Sequence, residues 1–511
     1  MSFSRRQILR LMGGTCSALA MPNLARRAYA AADSFEPTHA SLDTYRVPEW
    51  FRDAKFGIWA HWGPQSAIED GDWYARNMYI QGSDQYQYQL TNYGHPSKVG
   101  YKDLVNIWHA SKWDPDHLMR LYKKAGAKYF VSMGVHHDNF DLWDSKYTRW
   151  NAVKMGPKKD VVGMWKEAAK KHGLRFGVSE HLWISYKWFA VSHGADKTGP
   201  LAGVAYDGRD PQFADLYHDA DCERFIDRLD WNDNDIPESW KKHYLNRMTD
   251  LIDKYQPDLL YTDGHLPFEE YGMRMVSHLY NVSAQLHGGN TEAVYTSKDS
   301  LDCAIGTCVL DHERGVAEGI SEHPWQTDTC IGQWHYKKGQ IYKTPKKVID
   351  LLVDIVSKNG NLLLNFPLPN SGELDPAEMR TLEGVTKWME ANSEGIYGTR
   401  PWKIYGEGPS TQQKIATGNF NEDKQKDLTG EDIRYTKKGD TVFAFIMGKP
   451  EIAEVNALGL WSQQDPGKIR RVQILGSGGD VKWIQDNASL RVKSPAELPS
   501  DIGFTLKVDF A

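Results

Sequence analysis

The 511-residue chain has only 5 cysteines, no excess of positive charge and no long apolar run. Each shortage closes a class of protein. No stretch reaches the roughly 18 consecutive apolar residues that a membrane-spanning helix requires. The formal net charge of -6 leaves no basic footprint for a nucleic-acid partner. The cysteine spacings match no zinc motif, and no Gly-rich dinucleotide loop follows the first strand pattern. Internal repeats and low-complexity tracts are lacking too. What remains is the balance of a folded globular protein, 41% hydrophobic and 25% charged, in a chain too long for a single core. Aromatics are plentiful, with 19 Trp and 25 Tyr, and flat rings suit sugar faces as well as large β-rich cores.

The N-terminus carries Ser4-Arg5-Arg6-Gln7-Ile8-Leu9, a short weakly apolar stretch and the small-residue site Ala28-Tyr29-Ala30. This is the layout of a twin-arginine export signal over residues 1–30, and it places the mature protein in the periplasm or outside the cell. Cys16 falls in the part to be removed. Cys222, Cys303, Cys308 and Cys330 stay, and both disulfides and buried free thiols are open to them.

Short apolar runs then alternate with amphipathic patterns from about residue 55 to 396. The expected strands are Lys55–Trp62, Lys128–His136, Arg175–His181, Asp258–Gly264, Glu292–Ser297, Cys308–Glu313, Trp325–Gly332 and Asn361–Leu368. Asp114-Pro115 and Thr344-Pro345 each combine an N-cap with Pro at the first helical position. After the second, Val348, Leu351, Leu352, Ile355 and Val356 form a helical stripe. Alternating strands and helices in this number predict an α/β fold, a (β/α)8-like barrel over residues 31–400. Residues 184–238 break the pattern and are expected to form a long loop over the barrel mouth. Beyond Pro401, six short β-rich runs separated by turns predict an antiparallel β-sandwich over residues 401–511.

In a parallel barrel the chemistry sits at the C-terminal strand ends. Asp258-Leu259-Leu260-Tyr261-Thr262-Asp263-Gly264 is an apolar strand that ends in a carboxylate, so Asp263 is the foremost candidate, against a plain turn-capping role. Asp311-His312-Glu313-Arg314-Gly315 closes a second strand. Two carboxylates on different strand ends are what glycoside hydrolysis needs, one at the anomeric carbon and one at the leaving oxygen. His61-Trp62-Gly63 and His136-His137-Asp138 close two more strands. Adjacent His136 and His137 point to opposite sides of an extended chain, which argues against a shared metal chelate and for hydrogen bonds to sugar hydroxyls. Gly71-Asp72-Trp73-Tyr74 sets a carboxylate beside two aromatics in an early loop.

These motifs, with their neighbours, resemble the α-L-fucosidases of glycoside hydrolase family 29 over nearly the whole mature chain. The matching stretches run from Trp50 to Gly63 and cover Gly71-Asp72-Trp73-Tyr74, His136-His137-Asp138-Asn139-Phe140 and Leu142-Trp143-Asp144-Ser145. Further along they include Lys358-Asn359-Gly360-Asn361-Leu362-Leu363-Leu364-Asn365 and Gly395-Ile396-Tyr397-Gly398-Thr399-Arg400-Pro401-Trp402. The resemblance implies a retaining mechanism without cofactor, Asp263 as nucleophile, and His61, His136, His137 and Trp73 on the sugar. Tyr261 stands where the family often has Trp. Asp72 replaces a Glu and reaches one methylene less far, and Asn139 replaces a Gly behind the His pair. The family's acid/base region is poorly matched. That role is placed on Glu313, with Glu318 and Glu322 as rivals.

The expectation is therefore a retaining exo-glycosidase that removes terminal α-L-fucose from oligosaccharides or polysaccharides, with no metal, no nucleic acid and no membrane span. A homo-oligomer is left open. An enzyme for α-L-galactose, which differs at C6, is the near alternative, and Trp334 is taken as the wall facing that carbon. A silent glycan-binding protein and a metal-dependent hydrolase are the rivals of other kinds.

Overall fold

The computed structural model describes residues 34–304, 307–478, 481–495, 497–498 and 500–511. The expected export signal and Cys16 lie outside the described residues. Eight parallel strands close into a barrel: β1 (Phe56–Ala60), β2 (Tyr129–Val135), β3 (Arg175–Glu180), β4 (Leu259–Thr262), β5 (Val294–Ser297), β6 (Val309–Glu313), β7 (Trp325–Cys330) and β8 (Gly360–Asn365). Each lies within an expected run except for one residue at the start of β8. Closure joins β1 to β8, with Phe56 opposite Leu362 and Trp59 opposite Asn365. Almost every residue of these strands is buried, because helices cover the outside and side chains fill the inside.

The helix Pro115–Lys124 starts as its sequence predicts, with Asp114 accepting a hydrogen bond from the His117 amide at 3.0 Å. Helix Pro345–Ser357 departs from the one-sided stripe: every residue from Val348 to Ser357 is buried. A C-terminal sheet packs on its far side. There Asp354, fully buried, meets Arg434 Nε and Lys358 Nζ, each at 2.7 Å.

The C-terminal region forms two antiparallel sheets. One holds β9 (Arg400–Glu407), β10 (Ile433–Lys438), β11 (Thr441–Ile446), β13 (Ile469–Ile474) and β16 (Phe504–Phe510) in the order β13-β16-β11-β10-β9. The other orders β12 (Ile452–Val455), β15 (Leu490–Lys493) and β14 (Trp483–Gln485) as β12-β15-β14. A separate apolar cluster that includes Tyr435, Ala444, Leu490 and Leu506 lies between them. Two strands, β9 and β12, were not anticipated. β9 is an edge strand with a proline and only one fully buried side chain, so it shows no alternation.

Residues 184–238 fold as successive short helical turns rather than open loop. Trp188 and Phe189 are buried in them, and Lys187 Nζ, wholly buried, holds Asp230 at 2.6 Å and the Asn232 carbonyl at 2.8 Å. This brings Trp231 to the barrel mouth. Cys303 and Cys308 form a disulfide just before β6, while Cys222 and Cys330 are buried free thiols.

Candidate active site

A cavity of about 650 Å³ opens at the C-terminal ends of the strands, and Asp263 and Glu313 face each other across it. Asp263 follows β4. Its amide donates to the Glu180 carbonyl at 3.1 Å and its own carbonyl accepts from Trp183 Nε1 at 2.6 Å, so the backbone is pinned from two sides. Gly264 next to it has φ +128°, and a Cβ there would stand 2.8 Å from the Trp183 ring. Only glycine fits, which is the physical reason for the Asp-Gly pair.

The Lys298 amide donates to the Gly264 carbonyl at 2.8 Å, which sets this lysine beside the carboxylate. Lys298 Nζ then lies 2.5 Å from Asp263 Oδ1 and 2.5 Å from Glu313 Oε2, with Asp328 at 3.8 Å. His181 Nδ1 and His137 Nε2 approach the other oxygen of Asp263 at 3.1 and 3.3 Å. The two carboxyls respond differently. Burial would raise the Asp263 carboxyl, but Lys298, His181 and His137 outweigh it and hold it well below the usual carboxylate range. Burial pushes Glu313 up to about 7, opposed by Lys298 and helped by the charges of Asp328 and Asp263. Asp263 is thus ionised throughout the neutral range, while Glu313 holds its proton up to about pH 7.

Five buried imidazoles ring one side: His61, His136, His137, His181 and His335. The rings of His136 and His137 are 4.4 Å apart and face one cluster. This corrects the expectation that they point to opposite sides: β2 stops at Val135, and the chain turns through Asn139 at φ 61° before an extended alternation can be established. Asn tolerates that left-handed position, and its side chain reaches the Leu216 carbonyl at 2.9 Å. Gln65 Oε1 accepts from the Ala75 amide, so its Nε2 donates to His136 Nδ1 at 2.9 Å and leaves the His136 Nε2–H for the cavity. His137 Nδ1 donates to the His181 carbonyl at 2.6 Å, which turns its other nitrogen to Asp263. Burial and neighbouring imidazoles hold His61 and His136 well below the usual histidine range, so both are neutral at physiological pH.

The remaining anticipated residues take the following places. Asp72, Trp73, Tyr261 and Trp334 line the cavity with His61 and His136. Asp72 is engaged by His335 Nδ1 at 2.5 Å, and Tyr261 donates to Asp328 at 2.7 Å while packing on Trp59. Trp334 packs against Trp59 and His61. His137 lies just behind the lining residues. Glu318 and Glu322 are exposed and do not line the cavity.

A family model described as alpha-L-fucosidase matches residues 23–394, and a second, described as the alpha-L-fucosidase C-terminal domain, matches residues 425–509. The chain belongs to the α-L-fucosidase family. It is an enzyme of that family, 27% identical over 491 residues to the tissue alpha-L-fucosidase of Mus musculus, which covers 93% of this chain and 94% of that protein. The tissue alpha-L-fucosidase of Homo sapiens is 26% identical over 492 residues, covering 93% and 91%. The crystal structure of Thermotoga maritima alpha-fucosidase in complex with fucose matches with a TM-score of 0.69 at 25% identity, over 93% of this chain and all of that one.

Members of this fucosidase site that escaped the sequence reading include His181, Lys298 and His335, and also Asp328 and Trp231. The first ends an expected strand and the second directly follows one, so the rule that selected Asp263 applied to them as well. His335 follows Trp334 and carried no signal of its own. Two histidine groups bring donor atoms within 4.8 Å of one another, His61 with Asp72, His136 and His335, and His136 with His137 and His181. In this fucosidase several of those atoms already have partners in Gln65, Asp263 and one another.

Proposed function

We propose that this fucosidase is exo-acting and retaining, with Asp263 as nucleophile and Glu313 as acid/base. The observation that carries the reading is the shared contact with Lys298. Two oxygens that each lie 2.5 Å from one nitrogen are separated by no more than twice that distance. Retaining enzymes hold their carboxyls about 5–5.5 Å apart, and inverting enzymes about 6.5–9.5 Å.

In the first step Asp263 attacks the anomeric carbon and Glu313 protonates the departing oxygen. The negative charge moves with the reaction, from Asp263, now an ester, to Glu313. Lys298 touches both and so balances whichever is charged. In the second step Glu313 takes a proton from water, and the water displaces Asp263. Neutral His61 and His136 serve the hydroxyls as donor and acceptor, and Trp334 forms the apolar wall for the C6 methyl of L-fucose.

The test is a variant pair on fucosides of different leaving groups. Asp263→Ala abolishes turnover on all of them, with partial rescue by azide. Glu313→Ala costs about 10²–10⁴-fold on poor leaving groups and far less on acidic ones. Product of inverted configuration from the wild type would falsify the reading.

A further inference from the structure

Among the described residues, one stretch of the cavity wall comes from neither of the two regions that the family models match. Residues 416–422 leave the C-terminal sheets, run back to the barrel and pair with the segment after β6. Phe420 N donates to the Glu313 carbonyl at 2.7 Å, and the Glu313 amide donates to Asn419 Oδ1 at 3.1 Å. Val316 bridges to Gly418, and Glu422 is held by Arg314 at 3.0 Å and Lys343 at 2.9 Å. Thus fixed, the segment brings Phe420 to the cavity mouth with φ 52°, and the residue is 64% exposed. A left-handed phenylalanine costs energy, and an open phenyl ring gains nothing from burial. Both are tolerated beside one particular residue, the expected proton donor.

That position decides what the ring meets. A general acid lies against the leaving oxygen, so the group attached to that oxygen must extend past Glu313. Phe420, joined to Glu313 through the backbone, lines the same cavity and is the more exposed of the two. Resting on the fucosidase reading above, we propose that Phe420 is the platform of a leaving-group subsite that stacks the apolar face of a pyranose ring, with Asn419 beside it. Its backbone is pinned by the Glu313 carbonyl, and its ring is open to the cavity mouth, as a platform for a sugar must be. Trp231, 46% exposed, stands on the mouth as a second aromatic from residues 184–238.

The experiment compares α-L-fucosyl fluoride, which carries no leaving sugar, with a panel of fucosyl disaccharides. Phe420→Ala lowers kcat/KM on the preferred disaccharide about tenfold, the effect of losing one stacked ring, and leaves the fluoride within about twofold. Phe420→Gly, which suits the left-handed backbone, shows the same split, so strain or misfolding is not the cause. Phe420→Trp restores the disaccharide rate. Equal losses on both substrates in the Ala and Gly variants, or no loss on any disaccharide, overturn the subsite. A wild type that leaves fucosyl fluoride intact overturns the fucosidase reading itself, and this inference falls with it.

Discussion

Lys298 Nζ stands 2.5 Å from Asp263 Oδ1 and is held well above the ordinary lysine range, since three carboxylates outweigh the cost of its burial. This pair sets the pH behaviour of the site. Glu313, with its pKa near 7, must be protonated in the first step, so kcat/KM falls about tenfold per unit as pH rises above 7. Asp263, ionised far into acid, adds no loss near neutrality. Lys298 lowers both carboxyls, and Lys298→Met therefore moves both limbs of the profile upward. It also costs about 10²–10³-fold in kcat, the usual loss for a preorganised charge. A pH profile that keeps its wild-type limbs in this variant removes Lys298 from the electrostatic account.

Hydrolysis is expected to survive EDTA and dialysis, because the histidines are assigned to hydroxyls and to Asp263. Activity lost on chelation and restored by zinc points to a metal at one of the two histidine groups. In the same site, His136→Ala leaves the buried Gln65 amide and a sugar hydroxyl unpaired. The Gln65 amide is unpaired in the free variant too and weighs on stability, so kcat/KM carries the hydroxyl alone and falls roughly 5–150-fold at about 1–3 kcal/mol.

Asp354 joins the barrel helix to the C-terminal sheet through Arg434, with both side chains buried. Removing one partner strands the other. Arg434→Met should destabilise the protein by about 3–5 kcal/mol, read from denaturant or thermal unfolding, while the activity of the folded fraction is kept. An unchanged midpoint means that Lys358 alone satisfies Asp354.

Export is proposed from the paired arginines, and the Cys303–Cys308 disulfide supports an oxidising destination. Mature protein should begin near Ala31 and be recovered from the periplasm or medium. Arg5-Arg6 found intact by N-terminal sequencing of the cell-associated protein contradicts this.

The sequence by itself determined the barrel, because eight apolar runs and their capped helices are written in local periodicity and cap chemistry. It also marked Asp263 and Glu313, since a carboxylate closing an apolar strand is a local pattern. The C-terminal sheets were legible except for β9 and β12, both of them edge strands. Tertiary structure alone decided how charge is distributed. Ser297-Lys298-Asp299 carries no pattern of its own, and it is the side-by-side pairing of β4, β5 and β6 that carries this lysine between two carboxylates. His136 and His137 converge because the strand ends one residue before them, a boundary that alternation does not reveal. Phe420 lies far along the chain from Glu313 and shares no pattern with it. Their contact exists because the five-stranded C-terminal sheet docks on the helix Pro345–Ser357 and the connection between β9 and β10 returns to the barrel mouth. Through-space electrostatics and docking depend on distances that no local pattern encodes.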